Sequence, residues 1–415
     1  MNTTVAAAVA EAHRLQWGFV LAATARVTRD LDLAEECVQD AYAQALQQWA
    51  EDGVPSRPEA WLTTVARRRA LDALRRHDIF RGKLPLLVGD DVAPPADRDI
   101  ADQDIPDDRL RLIFTCCHPS LHVDTRVGLT LRLVCGLSTA EVARALLVSE
   151  STMAARITRG KKKIKVAGIP YREPSPEELP ARLDAVLDVV HLVFSTGHTA
   201  PSGERLQRRD LIERALHLAR VLRELLPAQS GTTGLLALIV LTDARRRTRT
   251  RPDGSLALLS EQDRTLWHAE EIREGVRLVR SALRHQPPTR YALMAAIAAE
   301  HARAPSWEAT DWPGIIGLYD TMLEVWPSPV VALNRAIAVG QAYGPAAGLQ
   351  ALGELSAEPQ LTAYQYFAAA RADFLRRLDR MDEARAAYRE ALARTENAVE
   401  REFLRSRLEE LGDFL

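Results

Sequence analysis

Between Gly136 and Lys165 the chain carries two helix starts in close succession, and this pair constrains its fold more than any other feature. Gly136 interrupts an apolar helix running from about Val123 to Cys135, in which Val127, Leu131 and Val134 turn inward at helical spacing. Ser138-Thr139-Ala140-Glu141 then spells a capping box. The Ser side chain covers a free N–H of the first turn while the Glu covers the N–H of the Ser. The short helix it opens ends near Leu146. After a Leu147-Val148 turn, Ser149 caps a second helix that carries Met153 and Ile157 inward. Ala140 and Ala143 are small enough to let the two helices cross closely. This is a helix-turn-helix, whose second helix is suited to enter the major groove with its N-terminal residues at base edges.

Charge supports that reading. From Arg144 to Lys165 there are seven basic residues and one acidic. Ser149, Glu150, Ser151, Thr152 and Arg156 stand where they reach bases or flanking phosphates, while Arg159, Lys161, Lys162 and Lys163 suit phosphate contact and a salt-sensitive affinity. A helical hairpin with a solvated basic tail would explain each feature singly, but not caps, spacing and one-sided charge together. A second basic run, Arg67 to Lys83, holds seven basic and two acidic residues. Within it Arg67, Arg68, Arg69, Arg75 and Arg76 flank Asp72 on a helix fit to hold the backbone of opened or duplex DNA. Trp61, set among apolar positions, reads as core before stacking platform.

Between the two runs, Leu84 to Leu110 carries eight Asp, two Arg and four Pro without sustained periodicity, which predicts a linker. Self-repulsion accounts for its extension, and mimicry of nucleic acid is an equal alternative. Elsewhere the chain is rich in Ala, Leu and Arg and poor in aromatics, at 6%. That mixture predicts an all-α fold. The N-terminal part reads as three helices. The first has Leu15, Phe19 and Ala22 facing inward. The second carries a Leu33, Cys37, Ala41, Ala45, Trp49 stripe, and the third opens at Ser56-Arg57-Pro58-Glu59 and buries Trp61, Val65 and Leu74. Pro and Gly punctuate everything after Pro180, with loops at Pro201 to Gly203, Pro227 to Gly234, Pro252 to Gly254, Pro287-Pro288 and Pro327 to Pro329. Counting from Gln365, Ala384, Tyr388 and Ala391 fill the small, aromatic and small positions of a tetratricopeptide unit, although Ala368 and Glu396 stand where its Trp and Pro usually do. Val330 to Leu355 reads as a degenerate neighbour. The domains expected are 1–83, a linker at 84–106, 107–168, and a helical extension at 169–415.

Other functions find less support. Cys37, Cys116, Cys117 and Cys135 form no CxxC pair, and adjacent Cys116 and Cys117 with His118 and His122 read as buried thiols and loop histidines rather than as a metal site. No metal and no cofactor is expected. There is no nucleophile elbow, P-loop or dinucleotide fingerprint, so no enzyme is expected; Ser195-Thr196-Gly197-His198 reads as a helix terminus, and Asp263 with Arg264 as a structural ion pair. The absence of an apolar leader or membrane-length run points to a cytoplasmic protein.

Taken together, these residues resemble sigma factors of the extracytoplasmic-function type. Asp32-Leu33-Ala34-Glu35-Glu36-Cys37-Val38-Gln39-Asp40-Ala41-Tyr42, with Ala45 and Trp49, is similar to sigma region two where it docks on the polymerase β′ clamp helices. The resemblance thus implies Asp32, Glu35, Glu36, Gln39 and Asp40 as polymerase-binding residues. Trp61-Leu62 through Leu74-Arg75-Arg76 resembles the adjoining segment that melts and reads the −10 element, with Arg68 where the family usually has Asn. The helix-turn-helix resembles region four, which reads the −35 element and touches the β flap. Thr115-Cys116-Cys117-His118-Pro119, Asp243-Ala244-Arg245-Arg246 and Gln262-Asp263-Arg264 resemble the subgroup with a tetratricopeptide-like extension. The resemblance implies core RNA polymerase and promoter DNA as partners and a regulatory role for the extension, on which a regulatory protein is a further candidate partner. The rival from residues alone is a stand-alone helix-turn-helix activator with a repeat-type sensor domain.

Overall fold

The computed structural model describes residues 3–81, 108–146, 148–362 and 364–412. The expected linker at 84–106 and Leu147 of the expected turn lie outside the described residues. The chain divides into two compact units, Met1–Val189 and Val190–Leu415, the division falling within one helix.

In the first unit, α1 (Thr3–Thr28), α2 (Leu31–Asp52) and α3 (Pro58–Arg81) pack pairwise into a three-helix bundle. Asp30 starts α2 by accepting the N–H groups of Asp32 and Leu33 on its carboxylate. Of the α2 stripe, Cys37, Ala41, Ala45 and Trp49 are buried as expected and Leu33 is half-buried. The other two stripes hold only in part: Ala22 is fully buried as expected, while Phe19, Val65 and Leu74 are half-buried. Leu15 is 39% exposed, whereas Trp17 is 2% exposed and Val20 and Leu21 are fully buried. On α3 the buried line is Leu62, Ala66 and Ala70, with Trp61 only half-buried, edge-on to Trp49 at 5.5 Å. Small residues let α3 approach its neighbours closely, and close approach buries more surface than one large ring at the rim.

The same unit continues with α4 (Arg109–Cys116), α5 (Val123–Leu129), α6 (Thr139–Ala145) and α7 (Glu150–Val166). The last turn after α5, Thr130–Val134, winds as a π-helix before Gly136. Gly136 has φ +72°, and a Cβ there would sit 2.8 Å from the Trp17 ring, so no other residue fits without displacement. Trp17 is the hinge pin between the two halves of this unit: its Nε1 donates to the Leu133 carbonyl at 3.0 Å. Tyr171 repeats the arrangement from the far end, its hydroxyl donating to the Ala22 carbonyl at 2.8 Å. The bundle and the helix-turn-helix thus share one core.

The second unit follows α8 (Leu179–His198), within which the division falls. It contains α9 (Arg209–Leu225), α10 (Ser230–Asp243), α11 (Ala269–Ala282), α12 (Arg290–Arg303), α13 (Trp312–Val325), α14 (Pro329–Tyr343), α15 (Pro345–Glu354), α16 (Pro359–Thr362), α17 (Gln365–Arg377), α18 (Met381–Arg394) and α19 (Ala398–Glu410). α10 is apolar on every side and is wrapped by α9, α11 and α12. It begins at Ser230, so part of the loop expected from Pro227 to Gly234 is helical. α14 with α15 and α17 with α18 form antiparallel hairpins, and Ala384, Tyr388 and Ala391 lie in the core of the second. That is the stacked helix-pair architecture the repeat pattern predicts. A two-residue parallel ladder pairs Ser202 with Glu396 and Gly203 with Asn397. Buried Asn397 donates to the Ala200 and Arg205 carbonyls at 3.0 Å, closing the start of the unit onto its end. Asp263 and Arg264 do not pair with each other. Asp263 caps its own turn through Thr265 N at 2.9 Å, and Arg264 donates to the His301 and Ala304 carbonyls. An N-cap and a helix C-terminus are better partners than an adjacent side chain held in the wrong direction.

Candidate nucleic-acid interface

Local hydrogen bonding builds the helix-turn-helix as its sequence dictates. Ser138 Oγ accepts the Glu141 N–H at 3.2 Å while the Glu141 carboxylate accepts the Ser138 N–H at 2.7 Å. Ser149 Oγ accepts the Thr152 N–H and caps α7. Met153, Ile157 and Ile164 form its inward line, and Gly160 lies on it where a Cβ would meet the Thr125 methyl at 2.6 Å. α7 therefore lies close against α5, and its orientation is fixed.

That orientation sorts the candidate DNA-binding residues into two groups. Ser149, Glu150, Ser151, Thr152, Arg159, Lys162 and Lys163 are exposed. Arg156 is half-buried with Nη1 3.5 Å from Asp124, and Lys163 donates to the Ser120 carbonyl. Lys161 faces the other way. Its Nζ lies 2.7 Å from Asp32 Oδ1 and 2.7 Å from Glu35 Oε2, on α2. Lys165 Nζ meets Asp30 Oδ2 at 2.7 Å, and Arg132, in the π-helical turn, pairs with Glu35. Glu35 is 8% exposed and Lys161 11%, so their pair is nearly dry, whereas Asp32 and Lys165 hold the solvent-exposed rim of the network. Burial alone would lower the Lys161 ammonium, but the Glu35 and Asp32 carboxylates outweigh it and raise it above its ordinary value.

On the bundle, Arg67 is half-buried and Arg68, Arg75 and Arg76 are exposed. Arg69 bridges from α3 to α2, donating to Asp40 at 2.8 Å and to Gln44 at 3.0 Å. Arg75 lies 4.0 Å from Asp72, and Arg76 Nε donates to the Asp72 carbonyl. Of the candidate polymerase-binding residues, Asp32, Glu36, Gln39 and Asp40 are exposed and Glu35 is buried; α7 engages Asp32 and Glu35, and Arg69 engages Asp40. Sequence reasoning missed Arg132 and Trp17 as joints between the two halves. A lone Arg inside Thr130-Leu131-Arg132-Leu133-Val134 was the available clue, because a charge in an apolar run needs a partner.

Cys116 and Cys117 are buried, and burial pushes the Cys117 thiol up to about 11. Among the described residues no group of three His, Cys, Asp or Glu side chains is placed to hold a metal ion, and no helix is long and apolar enough to cross a membrane.

Family models agree with these two modules. The sigma-70 region 2 model matches residues 18–79 and the sigma-70 region 4 model matches 111–164; a family of unknown function (DUF6596) matches 182–283. The ECF RNA polymerase sigma factor SigK of Mycobacterium sp. (strain KMS) is 32% identical over 144 residues, which cover 34% of this chain and 72% of that protein. The chain belongs to the ECF sigma factors. As a sigma factor it partners core RNA polymerase and promoter DNA and directs transcription initiation. Its extension sets it apart from the short members. An uncharacterized protein of Rhizobium meliloti is 40% identical over 399 residues, 94% of this sigma factor and 93% of that protein. SigJ of Mycobacterium tuberculosis is 30% identical over 175 residues, 39% of this chain and 53% of its own. No solved structure matches.

Proposed function

We propose that this sigma factor, in the cytoplasm, docks Asp32, Glu35, Glu36, Gln39 and Asp40 of α2 on the β′ clamp helices. Arg67, Arg68, Arg69, Arg75 and Arg76 of α3 hold the opened −10 strand. α7 reads the −35 element, with Ser149, Glu150, Ser151, Thr152 and Arg156 at the bases and Arg159, Lys161, Lys162 and Lys163 on phosphates, while its module rests on the β flap. The extension from 169 onward regulates this core, through a protein that docks on it.

One observation carries the reading furthest: Lys161 sits between Asp32 and Glu35. If those acids serve the clamp and that lysine serves DNA, the free chain is closed, each module satisfying the other's charges. Initiation then exchanges these ion pairs for polymerase and phosphate contacts. Such an exchange costs little net charge desolvation, because each buried group passes from one opposite charge to another.

The experiment is reconstituted initiation with core polymerase on a promoter selected by this chain. Promoter-specific transcripts support the reading. Binding to free duplex DNA with no gain in initiation would favour a stand-alone activator and overturn it.

A further inference from the structure

The second unit holds a cluster of cations, Arg245, Arg249 and Arg264, in which no acid among the described residues acts on Arg245. Arg245 follows the end of α10 and lines a cavity of about 30 Å³ with Leu241, Thr242, Trp267, His301 and Ala302. Arg245 is half-buried, and the charge beside it is another cation, Arg264. Arg264 lies on the Trp267 ring, 4.6 Å from its centroid, and spends Nη1 on the His301 and Ala304 carbonyls, leaving a buried Nη2 without a partner. Arg249, also buried, donates to the His198 carbonyl and to Thr199 Oγ1. His198 and His301 each have a buried Nδ1 with no partner.

Nearby acids are committed elsewhere. Asp243 serves Arg209 and Arg246, Glu271 serves Arg246, and Glu400 accepts from Gln365 and Tyr366. Glu308, which acts on Arg264, lies at the surface. Each cation depresses its neighbours: burial and then Arg264 push Arg245 down to about 10, and burial and then Arg245 push Arg249 down to about 9. Glu400 and Asp243 act on Arg249 and Glu308 acts on Arg264, but no acid among the described residues acts on Arg245, whose partly desolvated charge one anion would relieve. A guanidinium offers a planar fork that fits two oxygens of phosphate or carboxylate, and the cavity admits a group of a few atoms.

We propose that the extension binds a small oxyanion of the phosphate class in this cavity, with Arg245 as its principal ligand and His301 as a second donor. Bound there, the anion ties the 244–268 segment to α10 and α12.

The test uses the full chain at constant ionic strength, exchanging chloride for inorganic phosphate. Phosphate should raise the melting temperature saturably, by about 3–6 °C at ten times its Kd, and slow hydrogen exchange across residues 244–268. Arg245→Gln should abolish the saturable rise, while Lys162→Ala, on α7, should keep it. Equal effects of chloride and phosphate, a rise that survives Arg245→Gln, or protection confined to 150–166 would each overturn the proposal. Should Arg245→Gln fail to fold, NMR titration of His301 in the wild-type chain decides. Phosphate should move its midpoint upward, and an unmoved midpoint would refute the site.

Discussion

Lys161 Nζ and Glu35 Oε2 lie 2.7 Å apart, joining the helix that carries the region 4 reading face to the helix that carries the region 2 acids. With Asp32 as a second acceptor and Arg132 as a second donor, the pair forms a chain of alternating charge at the seam of the two modules. Removing one member leaves its partner buried and under-satisfied. Lys161→Ala should therefore lower the stability of this unit by about 1–3 kcal/mol, less than a fully isolated buried pair because Arg132 remains on Glu35. A double-mutant cycle with Glu35→Gln, read by urea unfolding, should show coupling of about 1 kcal/mol or more. Additive losses would mean that the contact contributes nothing.

Arg156 and Lys162 share α7 but should behave differently. Arg156 lies near its reading end and is half-buried beside Asp124, whereas Lys162 is exposed two turns on. Arg156→Ala should relax −35 selectivity, costing about 1–3 kcal/mol on the preferred sequence only. Lys162→Ala should weaken all promoters alike and reduce the salt slope by about 1. Competition between promoter variants at two salt concentrations measures both. Identical effects would mean that the reading face is misplaced.

Gly136→Ala tests the joint between the modules. It meets a left-handed backbone and the Trp17 ring at once, so a loss of at least about 2 kcal/mol is expected. Thermal unfolding measures the loss, and an unchanged midpoint would contradict the close approach of the Trp17 Cβ, Cγ and Cδ1 atoms.

These expectations show where local chemistry was legible in the sequence. The caps at Ser138 and Ser149 are hydrogen bonds between residues three apart, and they were readable from the letters alone. So were the repeat positions Ala384, Tyr388 and Ala391, which lie in one helix. Lys161 could not be read this way. Its charged neighbours in sequence are all basic, and its partners lie more than a hundred residues earlier, so local charge suggested phosphate contact. α1 was misjudged for a related reason. It packs on the bundle with one face and on α4 and the π-turn with another, and a simple one-sided stripe misses Trp17. Arg245 was visible as a letter in Asp243-Ala244-Arg245-Arg246, but the missing counter-charge is a property of three dimensions.

The extension should be acid-sensitive. Burial, reinforced by Arg245 and Arg264, pushes the His301 imidazole down to about 4, against 6.5 for an unhindered ring. Burial with Arg249 and Arg245 pushes His198 well below its ordinary range. From about pH 6.5 downward the unfolded chain takes up protons that the folded chain refuses, so stability falls as pH falls, until the folded rings titrate in turn. His301 alone should contribute a slope approaching about 1.4 kcal/mol per pH unit. Tryptophan-monitored urea unfolding should show that slope, and His301→Gln should reduce it. A pH-independent midpoint across this window would contradict the burial of both rings.

The closed arrangement is tested most directly by holding it shut. Asp30→Cys with Lys165→Cys places two thiols at the edge of the seam, where the native side chains meet at 2.7 Å, while Cys37, Cys116, Cys117 and Cys135 are buried. A short bis-maleimide should join them, and the joined protein should lose promoter-specific transcription with core polymerase while the unjoined double variant keeps it. Undiminished initiation by the joined protein would contradict the claim that the modules must part.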